Sequence, residues 1–457
     1  MVKACFITIQ STLTFRIISP QLGNFSHSII QFKLYYSIIR KIVMLKVLMK
    51  SDLDSISRVL TLRYDPLEKP VRKPLISSDF TPYSSYGEDV EASILDLIKK
   101  ELLNKYDELK LKNVSLALSA GVDSRLTLAM IRTVLPDVKI DCISVGFGDK
   151  EDEVSQAKEI SRVYDCNFHN IILDEVLSDL PKLIAIVKKP KWNLYQFYPL
   201  EHGKKYSNVF YTGDGGDELF GGYTFRYHKF LSLLPRDKGW KTKVKLYLSC
   251  HERDWVPDQN KMFGSAVKFS WEKIYELFRP YFSNDLEPLN QIFFADFNGK
   301  LLYDWLPANF AFADFLKIRI ESIFLTSTMI DFATHIPPDK KYDLRTRIGK
   351  LPLRSILIKH KGNEKMMEPV KKGFSIDLIS LWNRHAKEIV SAYVNAESEV
   401  VRNKIIDKDW ITISTRKLEE KNSDLRHRYI NKMLSILALE IWYRLFISKS
   451  LNSRQKL

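Results

Sequence analysis

Ser119, Gly121, Asp123 and Ser124 fall within one short stretch, Ser119-Ala120-Gly121-Val122-Asp123-Ser124, between the apolar run Val114-Ser115-Leu116-Ala117-Leu118 and a helical pattern from Arg125 to Val134. The chemistry these residue types suit is anion binding. Where a strand turns into a helix, the free N–H groups of the first turn converge and the helix dipole adds roughly half a positive charge, so phosphates are held without a basic side chain. Small residues let the backbone approach closely, the serines offer hydroxyls, and Asp123 offers a hard oxygen for a magnesium ion. The same residues also suit an ordinary capped turn, with Ser and Asp as N-caps.

A second loop carries more charge. Val209-Phe210-Tyr211 reads as a short strand and runs into Thr212-Gly213-Asp214-Gly215-Gly216-Asp217-Glu218-Leu219-Phe220-Gly221-Gly222-Tyr223. Carboxylates at 214, 217 and 218 repel one another, and a bound cation would relieve that repulsion. A merely solvated acidic turn would not need so many glycines. Further on, Arg345, Arg347, Lys350 and Arg354 precede Lys371-Lys372-Gly373-Phe374. Such a cluster is either a solvated face or a partner for nucleotide phosphates.

The elements that must position these residues alternate in type. Strand 114 to 118 and helix 125 to 134 lead to a strand at 140 to 145, a helix from Glu153 to Tyr164 and a third strand near 170 to 173, a pattern that predicts a parallel sheet with right-handed crossovers. Ligands of such sheets lie beyond the carboxyl ends of the strands, where both Ser119 and Val145 fall. Beyond about residue 235 the pattern becomes helical and aromatic. Val90 to Lys105 has helical spacing, whereas 64 to 88, rich in Pro, Ser and Tyr, reads as a linker or irregular surface segment.

Bulk composition narrows the classes. The 457 residues carry a net charge of +15, but the Lys and Arg residues are scattered rather than packed into one block, which favours a solvated surface over a nucleic-acid face. Cys5, Cys142, Cys166 and Cys250 are far apart and form no CxxC pair, so neither a disulfide framework nor a structural zinc site is expected, and the cytoplasm is the natural compartment. Residues 1 to 51 contain no Asp or Glu and mix short apolar runs with basic residues. No run there is long enough to span a bilayer, so no transmembrane segment is expected, while Met44 and Met49 leave open a start further downstream.

Taken together, the motifs resemble the synthetase domain of the asparagine synthetases, ATP pyrophosphatases of the adenine nucleotide α-hydrolase (PP-loop) type. The carriers are Ser119 to Arg125, Thr212 to Tyr223, Lys350-Leu351-Pro352-Leu353-Arg354, the Lys-Lys-Gly-Phe stretch and the Leu-rich segment ending Leu439-Glu440-Ile441-Trp442. The resemblance spans roughly residues 86 to 447. It implies an α/β fold with a parallel sheet and a largely helical C-terminal part, in two regions: a basic extension over 1–85, without a complete glutaminase domain, and an ATP-pyrophosphatase domain over 86–457. It further implies that Leu118, Val145, Thr212 and Gly213 line the adenosine. Ser119, Gly121, Asp123 and Ser124 match the pyrophosphate loop, Asp123 and Asp217 the magnesium ligands, Asp214 the base towards the attacking amine, and Lys350 the lysine that stabilises charge on pyrophosphate.

The implied activity is an ATP- and magnesium-dependent carbon–nitrogen ligase of asparagine biosynthesis. A carboxylate, aspartate by default, is activated as an acyl adenylate and then attacked by ammonia or another amine. Departures bear on the substrates: Ala120 replaces a usual Gly, Arg125 a usual Ser and Asp214 a usual Glu, Val2 stands where glutaminases carry their cysteine, and 188 to 200 lacks the Thr and Arg that grip aspartate. A separate glutaminase partner and a homodimer are compatible with this reading. Its competitors are a tRNA-modifying PP-loop ATPase and an ATP-binding regulatory protein without catalysis.

Overall fold

In the computed structural model, residues 53–83, 89–147, 151–235, 239–360, 376–419 and 425–457 are described. The chain divides into two units, 1–52 and Leu53–Leu457, and everything below concerns the second. Its centre is a five-stranded parallel sheet: β1 (Asn113–Ala117), β2 (Lys139–Gly146), β3 (Asn167–Ile172), β4 (Val209–Tyr211) and β5 (Arg319–Glu321), in the order β3-β2-β1-β4-β5. The chain winds outward from β1 through β2 to β3, then returns to the other side of β1. The order therefore reverses between β1 and β4, and a crevice opens beyond their carboxyl ends. Both loops picked out in the sequence, 118–121 and 212–215, leave the sheet at that point.

The strands are apolar because both faces are covered. Val114, Leu116, Ile140 and Cys142 pack on one face with Ile94, Ile98 and Leu102 of helix Val90–Leu109 and Leu126 of helix Val122–Val134. Ile143 and Phe210 pack on the other, with Leu183, Phe197 and Phe312 and with Leu434 and Leu437 of helix Arg426–Phe446. That last helix, apolar at 439 and 441, is the Leu-rich segment of the sequence and runs through the core.

One expectation needs adjusting and one open reading is decided. The compact unit begins at Leu53 rather than at residue 86, because a helix over 53–62 buries Ile56 and Leu60, and the irregular stretch after it buries Tyr64 and Phe80. Asn298 clasps both the N–H (2.9 Å) and the carbonyl (2.7 Å) of Leu75, and the side chain of Asn290 donates to the Phe80 carbonyl at 3.1 Å, so 64–83 is held rather than loose. The basic cluster divides between solvent and interior. Arg345 and Arg347 lie exposed in the turn of a small hairpin, Tyr342–Asp343 with Ile348–Gly349, while Lys350 and Arg354 are buried at the start of helix Leu351–Ile358. Lys371 to Phe374 lie outside the described residues.

Candidate active site

The 118–121 turn is stitched by its own serines. Ser119 N–H donates to Ser124 Oγ (3.1 Å), Gly121 N–H donates to Ser119 Oγ (3.1 Å), and the two hydroxyls lie 3.0 Å apart. The loop is thereby set before any ligand arrives, with Gly121 as the N-cap of helix Val122–Val134 and Asp123 in its first turn. Ala120 is not among the residues of positive φ, so the methyl group in place of the expected glycine is accommodated without strain. Leu118 donates its N–H to Ile143 O (2.9 Å), which sets it beside the end of β2, where Val145 lies.

The second loop packs against the first so closely that its glycines are obligatory. A Cβ on Gly216 would fall 2.4 Å from Asp123 Oδ1, and one on Gly222 would fall 1.8 Å from Asp217 Oδ1 and 2.5 Å from Lys350 Cε. This contact brings three distant motifs together. The Lys350 ammonium bridges Asp123 Oδ2 and Asp217 Oδ1, at 2.6 Å from the latter. Burial works against its charge, yet the two carboxylates outweigh that cost and raise its pKa above the ordinary lysine range. Lys350 has a left-handed backbone, φ 59°, held by its N–H donating to Phe220 O at 2.9 Å. Such strain is retained where surrounding contacts over-determine it.

Asp214 turns away from this triad. Trp305 Nε1 donates to its Oδ1 (2.7 Å), Asn309 Nδ2 donates to its Oδ2 (2.9 Å), and Ser322 Oγ donates to its backbone carbonyl (2.7 Å). Burial raises its pKa although those donors pull it down. Thr212 and Asp214 both face a cavity of about 520 Å³ that extends over β5. Beside Asp217, burial and its neighbour's charge push the Glu218 carboxyl up to about 7, while Tyr223 Oη donates to it at 2.6 Å.

Trp305 and Asn309 were not singled out in the sequence. They come from a continuous helical run, Pro288–Asp296, Phe297–Trp305 and Leu306–Leu316, whose middle part is π-helical. A π-helical segment rotates the side chains that follow it, and such segments occur frequently at functional sites. The unmatched 188–200 segment supplies Lys191, whose ammonium meets Asp304, and Gln196, whose buried amide has no hydrogen-bond partner among the described residues. Neither carries a distinctive sequence signal: Lys191 ends the basic stretch Lys188-Lys189-Pro190-Lys191, and Gln196 stands out only by its polarity among aromatic and apolar neighbours.

A parallel sheet with a strand-turn-helix junction, a carboxylate pair and a buried lysine at its switch point defines an α/β protein of the PP-loop type. Comparison is more specific: the asparagine synthase family model matches residues 110–444, and the chain belongs to that family. It is 27% identical over 375 residues to asparagine synthetase [glutamine-hydrolyzing] 1 of Bacillus subtilis (strain 168), a match covering 73% of this chain and 56% of that protein. The chain thus spans about half the length of that curated relative. Among solved structures, NMN synthetase from Francisella tularensis is similar with a TM-score of 0.26 and 12% identity, over 46% of this chain and 94% of that one. NAD+ synthetase from Burkholderia pseudomallei gives 0.24 and 11%, over 54% and 97%. At those scores the two structural likenesses carry no weight.

Proposed function

We propose that the chain is an ATP-dependent amide ligase that activates a carboxylate, aspartate by default, as an acyl adenylate and passes the acyl group to ammonia or another amine. The observation that carries this reading is the Lys350 ammonium held between Asp123 and Asp217, joining three separate motifs at the switch point of the sheet. In the first step a substrate carboxylate oxygen bonds to the α-phosphorus of ATP, the bond from that phosphorus to the bridging oxygen breaks, and pyrophosphate leaves. The helix terminus at Gly121 and the Lys350 charge stabilise the leaving anion in a site where water is scarce. In the second step the amine nitrogen bonds to the acyl carbon, AMP departs, and Asp214 takes the amine proton. Burial makes that carboxylate a stronger base than one in water.

The donor set fits magnesium. Asp123 Oδ1 is buried without a hydrogen-bond partner among the described residues, and with Asp217 it offers hard oxygens, which is all this ion requires when phosphates and water complete its shell. Bound there, the ion would neutralise charge on the phosphates. Leu118, Val145, Thr212 and Gly213 would line the adenosine, and Ser119, Gly121 and Ser124 would shape the phosphate cradle. The decisive test is pyrophosphate release from ATP across a panel of carboxylates and amines, with the product read by mass spectrometry. Sustained, multiple-turnover release that requires both substrates supports the reading; none across a panel including aspartate with ammonium counts heavily against it.

A further inference from the structure

The cavity of about 520 Å³ beside Asp214 is far larger than ammonia, which occupies about as much space as a water molecule, roughly 30 Å³. Its size falls in the range of roughly 300–1,000 Å³ typical of organic ligands. Two acceptors belong to side chains that line it. One is the Asp214 carboxylate. The other is Asn309 Oδ1, on a side chain only 3% exposed, whose Nδ2 is committed to Asp214 and whose oxygen has no partner among the described residues. A buried acceptor left open is costly, and one beside a carboxylate calls for a group with more than one N–H. The rest of the lining is mixed: Leu306, Phe310 and Ile320 supply apolar surface, Ser322 and Thr328 supply hydroxyls, and charges of both signs stand at the wall, Arg72 and Lys105 opposed by Glu101 and Glu321. Asp214 adds to the room, since it is one methylene shorter than the Glu usual at its motif position.

We propose that this cavity binds an organic primary amine, its nitrogen seated between the Asp214 carboxylate and the Asn309 carbonyl and its body lying over β5. The site stands on the cavity itself; only the fate of the amine, attack on an acyl adenylate with proton transfer to Asp214, rests on the ligase reading. Asn309 is then a substrate-touching residue, and the nucleophile of this enzyme is an amine with a body rather than ammonia.

Calorimetric titration of the full chain with ammonium chloride and a graded panel of primary amines, from methylamine to arylalkyl amines and amino-acid amides, tests this. Members of the panel should bind more tightly than ammonium. Asn309→Leu should weaken them about ten- to a hundredfold, the value of one hydrogen bond to a charged group. Because that change also releases Asp214, Thr328→Trp, at an exposed rim position, provides a fold-safe second variant that should exclude the larger amines while sparing methylamine. Carboxylate-dependent exchange of pyrophosphate into ATP is measured in parallel. Amine binding without exchange for any carboxylate would remove the ligase reading and leave the site standing. No amine tighter than ammonium, or loss of exchange in Thr328→Trp with amine binding intact, would overturn the proposal, the latter by assigning the cavity to the acyl substrate.

Discussion

Lys350 carries both a chemical and a structural duty. Its replacement by alanine removes a charge-stabilising donor, worth about 2.7–4 kcal/mol at comparable sites, and leaves Asp123 and Asp217 facing each other in a partly buried setting. We therefore expect Lys350→Ala to lower pyrophosphate release by about 10²–10³-fold and to lower the melting temperature, with magnesium restoring the melting temperature but not the rate. Calorimetric scans with and without the ion, beside steady-state assays, separate the two effects. Asp214→Asn should divide the reaction differently. It keeps the shape, so carboxylate-dependent exchange should persist while amide formation drops by about 10²–10⁴, the usual worth of a positioned base. Equal loss of both steps would remove the assigned role. Glu218 supplies a pH signature. Its folded pKa of about 7 exceeds the unfolded value of 4.5, so the folded state holds the extra proton between those values. Its contribution is complete below 4.5 and is lost as pH rises through 7. Glu218→Gln should flatten the decline of stability over that window in urea titrations.

At the scale of elements, the site depends on two loops touching without side chains between them. Gly222→Ala would set a methyl group 1.8 Å from Asp217 Oδ1 and 2.5 Å from Lys350 Cε, forcing the lysine from its bridge. Overpacking of this kind costs about 1–3 kcal/mol, and here the shift falls on the ammonium, so activity should fall further than stability. Loss of stability alone, with kcat intact, would contradict the packing argument. This level also marks what the sequence could tell. The 118–121 turn was legible because its elements are contiguous: strand, small residues, Asp123, helix. The alternation that gives β1 to β3 was legible for the same reason. Trp305 and Asn309 were not, since they reach Asp214 from about ninety residues away through a π-helical turn that no periodicity announces. Which members of the basic cluster were merely solvated was not legible, because linear proximity to Lys350 says nothing about a hairpin that turns Arg345 and Arg347 to solvent.

Across the whole molecule, the residue before Trp305 ties the site to the rest of the unit. Asp304 is buried and meets Lys191 from the 188–200 segment and Arg63, at 3.2 Å, from the segment that follows the first described helix. Burial opposes its charge, but Lys191, Arg63 and Lys300 prevail and hold its pKa below the usual carboxylate range. The stability it contributes is thus present above the unfolded value of 3.8 and lost as pH falls through the folded one, opposite in sign to Glu218. Three stretches far apart in sequence therefore meet at one carboxylate, next to the indole that orients Asp214. Asp304→Leu should cost about 3–5 kcal/mol, because it strands the buried Lys191 and leaves Arg63 only its more distant partner Asp254, and Lys191→Met added to it should recover part of that loss. The readout is a double-mutant cycle by urea unfolding, with an acid arm in which the wild type, but not the pair of substitutions, shows the Asp304 titration. Additive losses would mean that Lys191 and Asp304 are neighbours without being partners. A coupled loss that also weakens amine-dependent turnover would place the 188–200 segment in the support of the site, through charge rather than through a direct grip on the substrate.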